Sequence, residues 1–417
     1  MKIAFLIDAF PVLSETFILN QITGLIDRGH EVDIFARNHR DSLEMHPDVR
    51  KYRLDGICTY LSHPPKNRST CITAYLYLLF RLTIRHVGIF HLLAEMLRTR
   101  NMKELFGLTY TLAPILGKSY DIIQCHYAKN GLSGIHLKKL GCNAKIVTMF
   151  HGHDIRAGLD DNDIPYRDLW RYGDCFLAIS EYTRDKIIGF GADPTSIVYL
   201  PVGIDTSCFP LRSDSRPSEN NTDGIRLISV ARLVPDKGLS YALSAIRRVL
   251  EKLPGVEIEY RIIGDGPLQE SLLNQVHELE LENIVTFVGG KAQPSVRKEL
   301  EASDIFLLPS TAEVLPVSLM EAQSIGLPVI ASDVGAVREI VVDGRSGYLV
   351  PQGDPQHIAD HLIKLISQRK NWKEMGRTGS AHIAAHFDIK HLTQRLEHIY
   401  TGLSTNISPA SLNEQSK

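Results

Sequence analysis

The chain has 417 residues, of which 44% are hydrophobic and 23% are charged, and its formal net charge is −2. This length exceeds one ordinary hydrophobic core, so we expect two domains. The near-neutral charge gives no reason to expect a nucleic-acid partner. The six cysteines are scattered singly, without the C-x-x-C spacing of a zinc site. They indicate reduced thiols in a cytoplasmic protein rather than a disulfide framework.

The chain begins with the pattern of a β-α-β unit. Residues 2–7 predict a strand, Ser14 is a candidate N-cap for a helix that starts near Glu15, and Gly29 is placed to end that helix. Repeated strand–helix units imply a parallel sheet. We therefore predict a doubly wound first domain over residues 1–205. Its later strands are predicted at 120–125, 145–150 and 175–179.

The most apolar long stretch, residues 71–97, is interrupted by Arg81, Arg85 and His86. It does not predict a membrane-spanning helix, which needs about 20 predominantly apolar residues. Between residues 68 and 100, aromatic and aliphatic side chains alternate with arginines, which suits peripheral contact with the inner face of an anionic cytoplasmic membrane. A pair of packed helices fits the same pattern equally well.

A polar stretch separates the two halves of the chain. Residues 206–223 are rich in Ser, Pro and Asn and predict a linker. The strand–helix alternation then restarts, which predicts a second doubly wound domain over 224–386. A last helical pattern covers about 387–403, and the polar residues 404–417 predict a disordered tail.

The stretch from Ser310 to Val350 carries the most informative pattern. Glu313 and Glu321 stand eight positions apart across a predicted loop-to-helix junction. Pro316 suits the first turn of that helix and Gly326 is placed to end it. Glu313 would therefore lie in the loop at the electropositive end of the helix, with Glu321 inside the helix.

This pattern resembles the retaining glycosyltransferase family 4 of the GT-B fold, and the SETF sequence at residues 14–17 resembles the first loop of its colanic-acid and exopolysaccharide-type members. The match consists of the E-x7-E pair followed, in the family's order, by GLPVIAS, EIVVDG and GYLV. The resemblance covers nearly the whole chain. It implies two doubly wound, Rossmann-like α/β domains facing a cleft, with the helix at about 387–403 crossing back onto the first domain.

The resemblance implies a binding site for a nucleotide-sugar donor in the second domain. Arg232 and Lys237 match the R-x4-K pair that binds the diphosphate, where cations stabilise the negative charge that grows on the leaving group. Glu321 would accept hydrogen bonds from the ribose hydroxyls. Glu313 would hold the hexose or stabilise positive charge on its ring.

Two loops depart from the family's usual pattern. Val314 stands where many relatives have a glycine after the first glutamate, which bears on the choice of sugar. The first loop also lacks the Gly-Gly pair of many relatives, and helix N–H groups near Thr16 would replace it. The other expected donor contacts are Gly264, Gly266 and the backbone around Leu315, Pro316 and Val317.

In the first domain, the sequence HGHDIR follows a predicted strand. The resemblance implies that His151 contacts a hydroxyl of the donor sugar and that Asp154 supports the loop. His126 also ends a predicted strand, and a structural role is as consistent with its position as a role in the cleft. Histidine and aspartate are metal-ligand types. The family needs no metal, however, so we expect neither a metal nor a cofactor beyond the nucleotide-sugar substrate.

The function implied is that of a retaining hexosyltransferase, which moves a hexose from a UDP-sugar to a lipid-linked oligosaccharide in exopolysaccharide or other surface polysaccharide synthesis. A glycosyltransferase with a soluble saccharide acceptor, a GT-B sugar-nucleotide epimerase and a non-catalytic sugar-nucleotide binder are alternatives. A dehydrogenase is disfavoured, because the first strand is followed by DAFPVLS rather than G-x-G-x-x-G.

Overall fold

The structure, a computed structural model, describes residues 1–12, 15–39, 46–65, 73, 75, 102–116, 118–160, 166–212 and 224–414. The chain divides into two compact units, one formed by Met1–Leu200 with Thr393–Lys417 and the other by Pro201–Leu392. The N-cap of the first helix is Glu15 rather than the predicted Ser14. Two predictions lie outside the described residues: nearly all of the membrane-contact stretch 68–100 and residues 213–223 of the linker.

The first unit is built on a seven-stranded parallel sheet. Its strands are β1 (Lys2–Phe10), β2 (Glu31–His39), β3 (Cys58–Tyr60), β4 (Ile122–His126), β5 (Lys145–Phe150), β6 (Cys175–Ala178) and β7 (Ile197–Tyr199). Their order in the sheet is β3-β2-β1-β4-β5-β6-β7. The order reverses between β1 and β4, and in such sheets the carboxyl ends of the strands at this point form the ligand crevice.

Helices cover the sheet of the first unit, and the central strands are apolar because they are buried on both faces. Residues Ile3–Ile7 are at most 1% exposed. The helices are α1 (Thr16–Asp27), α2 (Pro47–Lys51), α3 (Met102–Leu112), α4 (Ala128–Lys139), α5 (Gly152–Asp160), α6 (Arg167–Tyr172) and α7 (Glu181–Gly189), with 3-10 turns at Leu54–Gly56 and Pro194–Ser196.

The second unit contains a six-stranded parallel sheet. Its strands are β8 (Ile225–Val230), β9 (Ile258–Ile263), β10 (Val285–Gly289), β11 (Ile305–Leu308), β12 (Val329–Ser332) and β13 (Gly347–Val350). The order β10-β9-β8-β11-β12-β13 reverses between β8 and β11. This is the strand order of a doubly wound nucleotide-binding sheet.

Seven helices and three 3-10 turns belong to the described part of the second unit. The helices are α8 (Leu239–Lys252), α9 (Gln269–Glu278), α10 (Gln293–Glu301), α11 (Val317–Ile325), α12 (Val337–Ile340), α13 (Pro355–Ser367) and α14 (Trp372–His386), with 3-10 turns at Thr206–Cys208, Pro235–Lys237 and Arg369–Asn371. Helix α15 (Ile389–Ser404) follows and continues into the residues that belong to the first unit.

The chain enters the second unit earlier than the predicted boundary at residue 205. The backbone of Ile204 pairs with Asp388, and Phe209 is fully buried. The carbonyl of Phe209 accepts a hydrogen bond of 2.7 Å from Ser324 Oγ. Residues 206–212 are therefore part of the second unit rather than a linker, because a single buried aromatic residue anchors an otherwise polar stretch.

The prediction of a disordered tail from residue 404 is wrong for residues 404–414. Residues Pro409–Glu414 form helix α16, and Leu412 is fully buried. The amide of Asn413 donates to Ile197 O at 2.9 Å and accepts from Tyr199 N at 3.1 Å. It thereby pairs with backbone groups of the edge strand β7. Polar composition hides this contact, because an asparagine that binds backbone is indistinguishable in sequence from a solvated one.

Within the described residues, we find no helix with the length and apolar character needed to cross a lipid bilayer.

Candidate functional site

The loops that follow β8 and β11 bring Lys237 and Glu313 together in the second unit. Lys237 Nζ lies 2.5 Å from Glu313 Oε1, and the two side chains are only 18% and 7% exposed. Ser310 Oγ donates to the same carboxylate oxygen at 2.8 Å. A lysine and a serine thus hold the glutamate at the point where the strand order reverses.

Backbone contacts fix the distance between these two loops. The carbonyl of Asp236 accepts a hydrogen bond from Thr311 N at 2.8 Å. Gly238 has a φ of 58°, and a Cβ at this position would lie 2.0 Å from Pro309 O. Only glycine allows this approach, so the 3-10 turn carrying Lys237 is held directly against the loop carrying Glu313.

A third loop, after β12, supports the backbone of Glu313. Gly335 has a φ of 55°, and a Cβ there would lie 1.7 Å from Glu313 O. Any side chain at residue 335 would therefore displace the peptide of Glu313. Sequence reasoning missed Gly335. The available signal was a glycine shortly after the end of a predicted strand, a position that places its loop at the same edge of the sheet as the loops of Lys237 and Glu313.

Helix α11 carries Glu321, as the sequence predicts. The helix starts after Pro316 and ends at Gly326, whose φ is 91°. Glu321 is 8% exposed, and its burial raises the pKa of the carboxyl to about 7, against the lowering effect of a hydrogen bond with Gln293. Leu315 and Pro316 are buried at the start of this helix, and Val317 is its first residue.

The glycines of the loop after β9 accommodate a neighbouring loop. A Cβ on Gly264 would lie 1.9 Å from Ala231 O, and one on Gly266 would lie 2.4 Å from Leu233 O. Loop packing thus explains both glycines, and their contact with a donor stays a prediction. Arg232 lies between these contacts and is exposed. No residue in the described ranges forms a hydrogen bond or ion pair with its guanidinium group.

The first unit brings His126, at the end of β4, against His151, which follows β5. His126 Nδ1 lies 3.0 Å from His151 Nε2, and the two rings lie edge to edge, with their planes 19° apart and their centroids 5.3 Å apart. Burial lowers the pKa of His151 to about 3 and lowers that of His126 well below its usual value. Both imidazoles are therefore neutral at physiological pH.

Asp154 ties together the loops after β4 and β5. Its carboxylate accepts hydrogen bonds from Ala128 N at 2.9 Å and from His151 N at 2.8 Å. Burial raises the pKa of Asp154 to about 6, although these two hydrogen bonds favour its ionised form. His153 is exposed, whereas His151 and Asp154 are buried, and no three His, Cys, Asp or Glu side chains of the described residues are grouped so as to hold a metal ion.

Aromatic rings enclose His151 on two further sides. The ring centroids of Phe17 and Tyr127 lie 4.9 and 4.7 Å from that of His151. Tyr127 has a φ of 72°, which is rare for a residue other than glycine, and its hydroxyl donates to Glu15 at 2.7 Å. Thr16, between Glu15 and Phe17, is the first residue of α1.

Comparisons with known proteins identify the family. Residues 14–207 match the family described as Glycosyltransferase Family 4, and residues 212–382 match Glycosyl transferases group 1. The putative colanic acid biosynthesis glycosyltransferase WcaL of Salmonella typhimurium is 34% identical over 379 residues, which are 87% of this chain and 90% of that protein. The chain belongs to glycosyltransferase family 4. The amylovoran biosynthesis glycosyltransferase AmsK of Erwinia amylovora is 33% identical over 386 residues, or 88% of this chain and 90% of AmsK.

Solved structures show the fold of this glycosyltransferase. Anabaena Alr3699/HepE in complex with UDP superposes with a TM-score of 0.70 at 18% identity, covering 96% of this chain and all of that one. Sucrose-phosphate synthase from Thermosynechococcus elongatus gives a TM-score of 0.71 at 18% identity, covering 97% of this chain and 100% of that structure. The predictions of family 4 membership, of the GT-B fold with two Rossmann-like domains, and of hexosyltransferase class are confirmed.

The glycosyltransferase thus presents two clusters at switch points of its two sheets. The first unit holds His126, His151 and Asp154, and the second holds Lys237 and Glu313. Sequence reasoning had selected all five. It missed the side chains and backbone that hold them in place, which are Glu15, Tyr127, Asp236, Gln293, Ser310 and Gly335.

Proposed function

We propose that this glycosyltransferase transfers a hexose from a nucleotide sugar to a saccharide acceptor in exopolysaccharide synthesis, with retention of the anomeric configuration and with no metal or other cofactor. The observation that carries the proposal is the Lys237–Glu313 pair, at 2.5 Å, where the strand order reverses between β8 and β11. Ligands of α/β sheets bind at this point. The pair offers a cation for a diphosphate beside an acceptor for sugar hydroxyls.

In this proposal, cations drive departure of the nucleotide. The leaving diphosphate gains negative charge as the glycosidic bond breaks, so a cation placed against it stabilises the transition state more than the ground state. Lys237 and the exposed Arg232 follow β8 and supply that charge. Helix N–H groups at Val317, the first residue of α11, would contribute in the same way.

Two carboxylates would orient the rest of the donor. Glu313 would accept hydrogen bonds from hexose hydroxyls, in exchange for those it accepts from Lys237 and Ser310. Glu321 would accept from the ribose hydroxyls, a task best served by its ionised form, in which both oxygens act only as acceptors. In the first unit, His151 would contact a hydroxyl of the donor sugar, and Asp154 would hold its loop through the 2.8 Å bond to the His151 amide.

A UDP-sugar is the donor that we propose. The structures of HepE in complex with UDP and with UDP-glucose support this choice through their shared fold. A GDP-sugar is the competing donor, since a mannosyltransferase of Mycobacterium tuberculosis described as GDP-mannose-dependent is 26% identical over 278 residues, 63% of this chain and 71% of that protein.

For the acceptor, we propose a lipid-linked oligosaccharide at the inner face of the cytoplasmic membrane. WcaL and AmsK, named for colanic acid and amylovoran biosynthesis, support a role in polysaccharide assembly. The basic and aromatic stretch 68–100 would provide peripheral contact with anionic lipid. Co-sedimentation with vesicles that contain or lack anionic lipid tests this part, and absence of binding to both would contradict it.

A thermal-shift screen followed by a turnover assay tests the proposed reaction. Free UDP and UDP-sugars should raise the melting temperature more than GDP and its sugars, since a preferred ligand stabilises the folded state by mass action. The preferred donor should be hydrolysed slowly without acceptor, in excess EDTA, and the released sugar should keep its anomeric configuration by NMR. Activity that requires added manganese, or an inverted product, would refute the metal-free retaining mechanism.

A further inference from the structure

The hydrogen bond between His126 and His151 contains one proton, and its position decides what His151 offers to a ligand. His151 Nε2 faces His126 Nδ1 at 3.0 Å. His151 Nδ1 forms no hydrogen bond to a described residue. It is also not fully buried, so this nitrogen faces solvent. A neutral imidazole carries a proton on only one nitrogen. The solvent-facing Nδ1 is therefore a donor if His126 gives the proton and an acceptor if His151 gives it.

Polar groups around the other nitrogen of His126 discriminate between the two arrangements. His126 Nε2 and Gln124 Nε2 are both buried without a partner, and both belong to strand β4. Residues two apart on a strand face the same side of the sheet. A proton on His126 Nε2 would therefore leave two buried N–H groups without partners on this side of the sheet, whereas a lone pair there leaves one such N–H group and one unfilled acceptor.

The unpaired acceptor in this region does not reverse that preference. Gln21 Oε1 is buried without a partner, and its amide contacts Met149, the register neighbour of His126 on β5. Gln21 Oε1 and His126 Nε2 do not form a hydrogen bond with each other, so a proton on His126 Nε2 would not satisfy Gln21 and would add a second unpaired N–H group to that of Gln124. Orphaned N–H groups are rarer in proteins than under-satisfied acceptors. The balance therefore favours the lone pair on His126 Nε2.

We propose that His126 is a positioning residue whose Nδ1–H donates to His151 Nε2, which fixes His151 as the Nδ1–H tautomer and makes it a hydrogen-bond donor towards the sugar. This inference rests on the proposed function for the role of His151 in catalysis, but not for the tautomer itself. The Nδ1–H group of His151 then donates a hydrogen bond to a hydroxyl or ring oxygen of the nucleotide sugar. The hydrogen bond to His126 and enclosure by Phe17 and Tyr127 hold its ring in that orientation.

NMR of the ligand-free enzyme tests the tautomer directly. Long-range proton–nitrogen correlation spectra of protein labelled with 15N-histidine distinguish protonated from unprotonated imidazole nitrogens. The signals of the two residues are assigned by their loss in His126→Asn and His151→Gln. We expect protons on Nδ1 of both residues. A proton on Nε2 of His151 in the wild-type enzyme would overturn the proposal.

Kinetics test the positioning role with a matched control. His126→Leu removes the Nδ1–H group and should lower kcat about tenfold, the effect of one lost hydrogen bond. The KM for the nucleotide sugar should change little. His126→Asn keeps an N–H near the Nδ1 position and should stay within about twofold of wild type. His136→Asn is the control, because His136 is also buried and neutral, with Nε2 paired to Thr109 at 2.9 Å. It should lower stability but not kcat per folded enzyme.

Equal kcat in His126→Leu and wild type, after correction for the folded fraction, would overturn the positioning role. A wild-type enzyme that turns over no donor would instead refute the proposed function. The NMR measurement on the ligand-free enzyme would still test the proposed tautomer independently of turnover.

Discussion

Gly335→Ala should inactivate the enzyme because the added methyl group displaces the backbone of Glu313. The added Cβ would lie 1.7 Å from Glu313 O, whereas ordinary van der Waals contact begins at 3.4 Å. The two loops must therefore separate by about 1.7 Å. A misplacement of about 1 Å can cost about a hundredfold in rate. We therefore expect kcat to fall at least about a hundredfold, while the shift in melting temperature caused by UDP is preserved.

Gly344→Ala is the matched control for this substitution. Gly344 has a φ of 73°, close to the 55° of Gly335, but no heavy atom lies within 4 Å of its ideal Cβ. Both variants therefore incur the cost of a left-handed alanine, about 1 kcal/mol, or roughly 2–4 °C in the melting temperature of a domain of this size. Only Gly335→Ala carries the clash with Glu313.

The assay compares kcat, donor KM and melting temperature for the two variants and the wild-type enzyme. Gly344→Ala should retain wild-type kcat with a modest fall in melting temperature. If kcat of Gly335→Ala lay within about threefold of the Gly344→Ala value, the backbone position of Glu313 would not control turnover. The role of the loop after β12 in the site would then be refuted.

Three further outcomes are expected. Lys237→Ala and Arg232→Ala should each lower kcat about a hundredfold, the typical effect of losing one group that donates to the transition state. Lys252→Ala, which breaks an exposed ion pair, is the control and should leave kcat unchanged. Near-normal turnover of Lys237→Ala would exclude Lys237 from the diphosphate site. The kcat/KM for the donor should rise with pH through about 7, as Glu321 ionises, and this limb should vanish in Glu321→Gln; a limb that persists in the variant belongs to another group. Burial raises the pKa of Asp154 from 3.8 to about 6, so the folded state binds the proton of this carboxyl more tightly than the unfolded state does. The stability of the wild-type protein should therefore fall, relative to that of Asp154→Asn, as pH rises from 4 to 7. The shift corresponds to about 3 kcal/mol, and parallel denaturation curves of the two proteins across that range would contradict it.

The elements of the fold could be predicted because their signals are local. Buried parallel strands are continuous apolar runs, and the helix that carries Glu321 is bracketed by Pro316 and Gly326. The residues of the proposed donor site were selected through a motif with characteristic spacing and order. These are properties of neighbouring residues, so a single sequence suffices to read them.

The missed features depend on contacts between residues far apart in sequence. Gly335 is needed because Glu313, on another loop, passes close to it. The bond between His126 and His151 joins two strand ends that become neighbours only through the parallel register of β4 and β5. Asn413 orders the chain end through the backbone of an edge strand more than 200 residues earlier. In each case, periodicity identifies the residue's element but not the partner that gives the residue its role.

The salt bridge between Lys237 and Glu313 has a consequence for ligand discrimination. Because the lysine charge is already balanced by Glu313, an anion that binds Lys237 alone must leave a largely buried carboxylate with only Ser310 to compensate it. In the proposed donor site, a free nucleoside diphosphate would pair with the lysine but leave the glutamate without its cation. An intact sugar nucleotide would satisfy both groups, since its phosphates would replace the carboxylate and its hydroxyls would replace the ammonium group. The salt bridge would therefore weaken binding of the spent nucleotide relative to the complete donor, which would favour release of product and binding of fresh substrate.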